Sequence, residues 1–343
     1  MNFSICIPNF NYEQYVGLTL ESVVKQTLPP FEILVTDNAS TDKSAEVIKS
    51  YAEKHTNITL KVNSTNIGFA GNVDEVGRMA SGDWMIMLSS DDVMKKDALT
   101  VYKKFIQLIP NTEQFVFCST FEKIDSNGKF IEYISPSQSS IWFRSDIDPE
   151  LSMQMGFDIY KVSAPEMLKR CLTRFLNPFN FASTCYKKTT YEKVGGYGGG
   201  RLYNPDKWFH WKIMMELDYV YYIDIPLFQY RWHQNNQVSQ QQQNQILKYW
   251  LDEYRNCFEI SKQMLVKAGL NEHNIMRSCI RHSFLAYSFK FIKEYQYLMA
   301  FRICLMAFSI YPMVCIRALK FYLLLLLLLM GPIGSLMANL VKK

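Results

Sequence analysis

With 343 residues, 48% hydrophobic and 20% charged, the chain has length for about two domains and a globular rather than disordered composition. Its net charge of +5 is uneven: from Asn244 onward there are 13 Lys and Arg against 5 Asp and Glu, whereas the first 243 residues carry 24 against 27. A basic, apolar tail suits a membrane surface, and dilution of its cations among Leu and Phe runs argues against nucleic acid.

Phe3 to Ile7 reads as a buried strand, closed by Pro8-Asn9-Phe10-Asn11. No basic leader precedes it, so the catalytic part is expected in the cytosol. Tyr12 to Gln26 reads as an amphipathic helix with Val16, Leu20, Val23 and Val24 on one face. A second strand, Glu32 to Thr36, runs into Asp37 to Asp42 and a helix over Lys43 to Lys54. Ile58 to Val62 is a third strand, Asn66 to Phe69 a turn, and Ala70 to Ala80 a helix that Gly82 breaks. This alternation predicts βαβ units and a mostly parallel sheet.

Trp84-Met85-Ile86-Met87-Leu88-Ser89-Ser90-Asp91-Asp92 is the stretch on which the rest turns. A short apolar run reads as a buried parallel strand, and acids past its carboxyl end sit where open α/β sheets bind ligands. Such a pair can hold a divalent cation, which in turn holds a diphosphate. The same residues also read as a strand followed by a helix N-cap at Asp92.

Further on, Lys96 to Ile109 reads as a helix, Phe115 to Phe121 as a strand, and Ser126-Asn127-Gly128 as a hairpin turn. Ser135 to Asp158 is poorly patterned and reads as a surface excursion. Ala164 to Phe175 is a helix and Asn180 to Tyr186 a strand. Gly195 to Gly200 reads as a mobile loop, followed by a short helix over Asp206 to Glu216. Tyr219 to Ile225 and Leu227 to Arg231 are two strands, and the glutamine-rich run Gln234 to Gln245 marks a domain boundary near residue 240.

Residues 241–343 read as long amphipathic helices. Phe321 to Val341 lacks any charge over 21 positions, enough to cross a bilayer, yet Gly331-Pro332 near its middle equally suits an in-plane, re-entrant or buried segment. Eight Cys without a C-x-x-C pair, and five His without H-E-x-x-H, argue against a zinc site or a disulfide framework.

Five ordered elements over residues 3 to about 240 resemble family 2 glycosyltransferases, which have the nucleotide-sugar-binding GT-A fold. They are Ile5-Cys6-Ile7-Pro8-Asn9-Phe10-Asn11; Val35-Thr36-Asp37-Asn38-Ala39-Ser40-Thr41-Asp42; Asn66-Ile67-Gly68 with Asn72 and Gly82; Leu88-Ser89-Ser90-Asp91-Asp92; and Pro205-Asp206-Lys207-Trp208 followed by Tyr230-Arg231-Trp232-His233. The resemblance implies an α/β fold, a Rossmann-like mostly parallel sheet flanked by helices, with a helical membrane-associating region after it.

The resemblance also implies roles. Asp37 meets the base of the donor nucleotide, or is a turn Asp; Pro8 and Asn9 line base and ribose; Asn66 and Gly68 shape a turn against the ligand. Ser90, Asp91 and Arg231 contact the nucleotide sugar, with Mg²⁺ or Mn²⁺ on Asp91, Asp92 and His233. Ser89 stands where the family carries the first Asp of D-x-D-D, so metal and nucleotide are expected to bind together. Asp206 is the expected general base, although Pro205 replaces the usual Glu and the pair equally decorates a helix N-terminus. His233 also reads as a phosphate donor or a structural residue. Trp208, Trp211 and Trp232 read as sugar-stacking or core residues.

The expected function is inverting transfer from a UDP- or dTDP-sugar to a hydroxyl of a lipid-linked or oligosaccharide acceptor, in O-antigen or capsule assembly at the cytoplasmic face of the cell membrane. The alternatives are a sugar-phosphate nucleotidyltransferase and a non-catalytic membrane scaffold. The first would carry a glycine-rich loop after its first strand, where this chain has Pro8-Asn9-Phe10-Asn11.

Overall fold

A computed structural model describes residues 1–198, 205–233, 236 and 246–340. Two compact units divide it: Met1–Met167 with Asn177–Gln234, and Leu168–Leu176 with Asn235–Lys343. The boundary read near residue 240 lies outside the described residues.

The first unit opens with strand–helix alternation: β1 (Phe3–Asn9), α1 (Val16–Val24), β2 (Glu32–Asp37), α2 (Ser44–Ala52), β3 (Ile58–Val62), α3 (Gly68–Met79) and β4 (Trp84–Met87). All seven residues of β1 and all four of β4 are buried, as apolar runs covered on both faces require. These strands pair in parallel, in the order β3-β2-β1-β4. Pro8 lies beyond the last β1–β4 pair, Cys6 with Met87, so its missing N–H costs that ladder nothing.

The chain continues through β5 (Val93–Met94), α4 (Ala98–Leu108), β6 (Phe115–Ile124), β7 (Phe130–Ile134), α5 (Pro149–Met155), β8 (Ile159–Ser163), α6 (Ala164–Arg174), β9 (Cys185–Lys187), α7 (Lys188–Lys193), α8 (Pro205–Ile213) and β10 (Tyr219–Arg231). The sheet extends as β4-β9-β6-β10-β5, with β7 on β6 and β8 on β10. Here the expectation of a mostly parallel sheet needs correction. Only β6 with β10 adds a parallel pair; β9, β5, β7 and β8 all pair antiparallel.

Three further differences have local causes. The strand read over Asn180 to Tyr186 begins only at Cys185, because Asn180 accepts from the Ser183 amide at 2.8 Å and folds the intervening residues into a turn. The two strands read on either side of Pro226 are one strand with a register shift there. The excursion over Ser135 to Asp158 contains α5, capped by Asp148, whose carboxylate accepts from the Glu150 and Leu151 amides.

The second unit, taken by itself, is helical. Besides the end of α6 from Leu168, its helices are α9 (Ile246–Glu259), α10 (Lys262–Lys267), α11 (Glu272–Cys279), α12 (Leu285–Lys293), α13 (Tyr297–Ile310), α14 (Pro312–Ile316), α15 (Leu319–Leu329) and α16 (Pro332–Leu340), with a π-helical turn at Ile280–Phe284. The apolar run is therefore two short helices hinged at Gly331, whose φ is 55°. Among the described residues no helix is long and apolar enough to cross a membrane. Phe321, Leu324 and Leu327 are buried, and Ser335 Oγ lies 2.6 Å from the Ile292 carbonyl, so both helices pack on α12.

Candidate active site

Two loops at the carboxyl ends of β1 and β2 are laced together. Asn9 Nδ2 donates to Asp37 Oδ1 at 2.7 Å, and Ser40 donates its amide to Asp37 Oδ2 at 2.9 Å and its hydroxyl to Oδ1 at 2.6 Å. Asn11 and Ala39 hold φ of 57° and 58°, a left-handed backbone that non-glycine residues keep only when their surroundings demand it. Asn11 Oδ1 takes the Thr41 amide at 2.8 Å, and Ser40 Oγ takes that of Asn11 at 2.9 Å.

Asn38 ties in a third segment. Its side chain accepts from the Ile67 amide at 2.9 Å and donates to Asn66 Oδ1 at 2.9 Å; Asn66 Oδ1 also takes the Gly68 amide at 2.8 Å. Gly68 has φ of 79° with open space where a side chain would be, so the turn itself demands the glycine. Asn66 thus shapes the turn through its side chain. Buried Asn72 reaches the carbonyls of Asn9 and Thr36.

A second cluster forms where β4 and β10 end. Asp91 and His233 meet, with Oδ2 and Nε2 3.1 Å apart, and both are nearly buried. Arg231 donates Nε to the Asp91 carbonyl and its backbone amide to Asp92 Oδ1, each at 3.0 Å. Its guanidinium lies 5.1 Å from the Tyr15 ring centre, and the His233 ring stands 4.6 Å from Tyr15 and 5.8 Å from Tyr12. Thr19 Oγ1, on α1, lies 2.9 and 2.8 Å from the carbonyls of Ser90 and Asp92 and fixes the loop between them.

This geometry separates the two acids. Asp92 does not cap a helix, since α4 starts only at Ala98. Burial, and next the charge of Asp91, push its carboxyl well above the ordinary carboxylate range. Of the expected metal set of Asp91, Asp92 and His233, Asp91 and His233 face each other, whereas Asp92 turns Oδ1 onto the Arg231 amide. Among the described residues no three His, Cys, Asp or Glu side chains form a metal cluster. Asp91 Oδ2 and His233 Nε2, 3.1 Å apart, stand at a spacing that two ligands of one cation can take. Adjacent ligands of an octahedral Mg²⁺ stand about 3.0 Å apart, leaving further positions for diphosphate and water.

A third cluster surrounds Asp206, in the first turn of α8. Asn177 donates Nδ2 to Asp206 Oδ2 at 2.8 Å, and its Oδ1 lies 2.7 Å from His210 Nδ1. Burial raises the Asp206 carboxyl above its usual range, against the opposing pull of Lys207, the helix-terminal amides and Asn177. Burial also drops the His210 imidazole to about 3, so the ring is neutral and donates Nδ1–H to Asn177. Asp206, Asn177 and His210 therefore form an oriented relay. Asn177→Ala removes a hydrogen bond that favours the charged carboxylate. Its expected result is an acid limb of the pH–rate profile displaced to higher pH, with kcat down roughly 10- to 100-fold. An unmoved limb would show that Asn177 does not set the proton affinity of Asp206.

The start of the glycine loop before α8, read as mobile from sequence, is held by side chains of α3 and α8. Asp74 on α3 takes the Tyr197 amide at 2.7 Å and the Tyr191 hydroxyl at 3.2 Å, while Lys212 Nζ donates to the carbonyls of Val194 and Gly196. Val194 to Tyr197 is therefore pinned; Gly199 and Gly200 lie outside the described residues. Trp211 is fully buried in the core, and Trp232 lies under the Lys123 ammonium at 4.7 Å.

Two further signals lie in the sequence. Asp206 and His210 stand four apart on one helix face. Tyr12 and Tyr15 share a helix entry.

Residues 4–182, more than half of the chain, match the model of the family described as Glycosyl transferase family 2. The chain belongs to glycosyltransferase family 2. Among relatives of this family 2 chain is the poly(ribitol-phosphate) beta-N-acetylglucosaminyltransferase TarS of Staphylococcus aureus, 34% identical over 31% of this chain and 19% of the relative. Another is the abequosyltransferase RfbV of Salmonella typhimurium, 28% identical over 43% and 42%. The matches thus span less than two thirds of these relatives. In structure, TarS 1-349 of S. aureus in complex with UDP-GlcNAc aligns over 98% of this chain and 89% of that one, with a TM-score of 0.61 at 17% identity. A mannosyltransferase of Pyrobaculum calidifontis, in complex with GDP-Man and Mn²⁺, aligns over 100% and 88% with a TM-score of 0.55 at 13% identity. At these identities the likeness is one of fold, and it gives the family 2 chain a GT-A architecture.

Proposed function

We propose that this protein transfers a sugar from a UDP- or dTDP-sugar to a saccharide hydroxyl in a single inverting displacement, with Asp206 as general base. The observation that carries the reading is the Asp91–His233 pair, held between Arg231 and two tyrosines at the carboxyl edge of the sheet. It is a compact place for a cation and a diphosphate beside the Asn9–Asp37 strand ends. A cation bound there supplies charge neutralisation of the departing nucleoside diphosphate. Asp37, braced by Asn9 and Ser40, keeps one acceptor site on Oδ2 for a base edge, and Arg231 brings positive charge to the same edge of the sheet.

TarS is named for transfer of N-acetylglucosamine to poly(ribitol-phosphate) and RfbV for transfer of abequose, which supports sugar transfer onto a polymer; the role we assign is surface-polysaccharide assembly, O-antigen or capsule, with a lipid-linked acceptor. The basic tail and the exposed apolar residues of α13 to α16 support a site of action at the cytoplasmic membrane face. The decisive experiment is nucleoside diphosphate release from a panel of nucleotide sugars, with Mn²⁺ or with a chelator. Turnover of one uridine or thymidine donor, lost on chelation, is the expected result. A protein that turns over no donor, and whose Tm no nucleotide raises, would sink the enzyme reading.

A further inference from the structure

The helical second unit contains a cavity of about 440 Å³ lined by His273, Arg277, Arg281, Arg317, Tyr311 and Met313 among others. Arg277 and Arg281 stand four residues apart on one helical face, with His273 a further four before them, and like charges at that spacing repel. None of the three arginines takes part in an ion pair among the described residues. His273 and Tyr311 hydrogen-bond to each other across the cavity, joining α11 to the start of α14. Three exposed guanidiniums lining one open pocket, with no carboxylate partner among the described residues, suit an anion with several acceptor oxygens, and phosphate matches their fork geometry.

The rim tells which phosphate. Met313, Ile316 and Leu319 flank Arg317 and are exposed, Leu319 to 85%, and Tyr322 and Leu323 extend the apolar surface along α15. A soluble phosphate leaves that surface in water, whereas a lipid covers it with acyl chains while its headgroup enters the cavity. We propose that the Arg277–Arg281–Arg317 cavity binds the headgroup phosphate of an anionic membrane lipid and seats the helical unit on the membrane surface. The proposal deepens the membrane reading above and rests on it.

The test is sedimentation of the full chain with phosphatidylcholine vesicles, with and without phosphatidylglycerol, for wild type, Arg277→Gln/Arg281→Gln/Arg317→Gln and the corresponding triple lysine variant. Wild type is expected to sediment with the anionic vesicles. The glutamine variant should lose on the order of 100-fold in affinity, and the lysine variant should stay within about tenfold of wild type. Melting curves and donor turnover on a soluble acceptor should be equal in all three proteins, because none of these arginines lies in the catalytic unit. Anionic vesicles that bind the glutamine variant as well as wild type would overturn this site and leave the membrane reading standing. Wild type that binds no vesicles would overturn both, without touching the transferase reading. Inorganic pyrophosphate that binds the cavity as tightly as the lipid does would assign it to a soluble anion instead.

Discussion

Asp206→Asn is expected to lower kcat by about 10²- to 10⁴-fold while leaving donor affinity near that of wild type. The carboxamide keeps an oxygen for the helix-terminal amides and for Asn177 Nδ2, so the first turn of α8 keeps its shape. What it cannot do is take a proton from an acceptor hydroxyl. In the wild type the carboxyl lies above the ordinary range, so activity rises with pH through that raised value and is lost below it. Steady-state rates across pH, with nucleotide binding by calorimetry as the control, separate the two effects. A variant that retains wild-type kcat would remove Asp206 from the chemistry.

Asp91→Asn and Asp92→Asn, although neighbours, are expected to behave as opposites. Asp91→Asn takes a charge from the pair it forms with His233 and should cost about 10²- to 10³-fold in kcat, together with the divalent-ion dependence of nucleotide binding. Asp92→Asn replaces a buried carboxyl, held toward its neutral form, by a neutral group of similar shape that still accepts from the Arg231 amide. It should keep nucleotide binding and its metal dependence. The sign of the stability effect follows from linkage. A carboxyl raised in the folded state holds its proton there more tightly than in the unfolded chain, so wild-type stability falls as pH rises from about 4. Relative to wild type, the Asn variant should therefore gain in Tm over that interval. Equal loss of metal-dependent binding in both variants would make Asp92 a ligand beside Asp91.

The parallel half of the sheet was legible because β1, β2 and β4 are apolar runs that announce buried strands, and β3, mostly exposed, follows at the same strand–helix spacing. The other half was not, because Val93–Met94 and Cys185–Lys187 are too short to carry a period and exist only through their partners. The site divides in the same way. Asp91, Arg231 and His233 could be picked out from residue type and order. That Asp92 faces inward could not, since two adjacent acids look alike until a distant amide takes one of them. The Asn177 link between Asp206 and His210 crosses about 30 residues and is set by burial of the imidazole, which no local pattern encodes.

One strand controls when this site comes into being. β10 joins β6, β8 and β5, and its last residue reaches back 139 positions to Asp92. During synthesis the Asn9–Asp37 strand ends and the Asp91 turn emerge early, yet they lack Arg231 and His233 until the whole catalytic unit has left the ribosome. Such distant pairings fold slowly, so the nascent chain passes through a stage in which the Asn9–Asp37 strand ends are formed and the Arg231 and His233 contacts to Asp91 and Asp92 are not. A donor that bridges Asp37 and Arg231 would then act as a clasp across the sheet, withdrawing only fully closed molecules from the folding equilibrium.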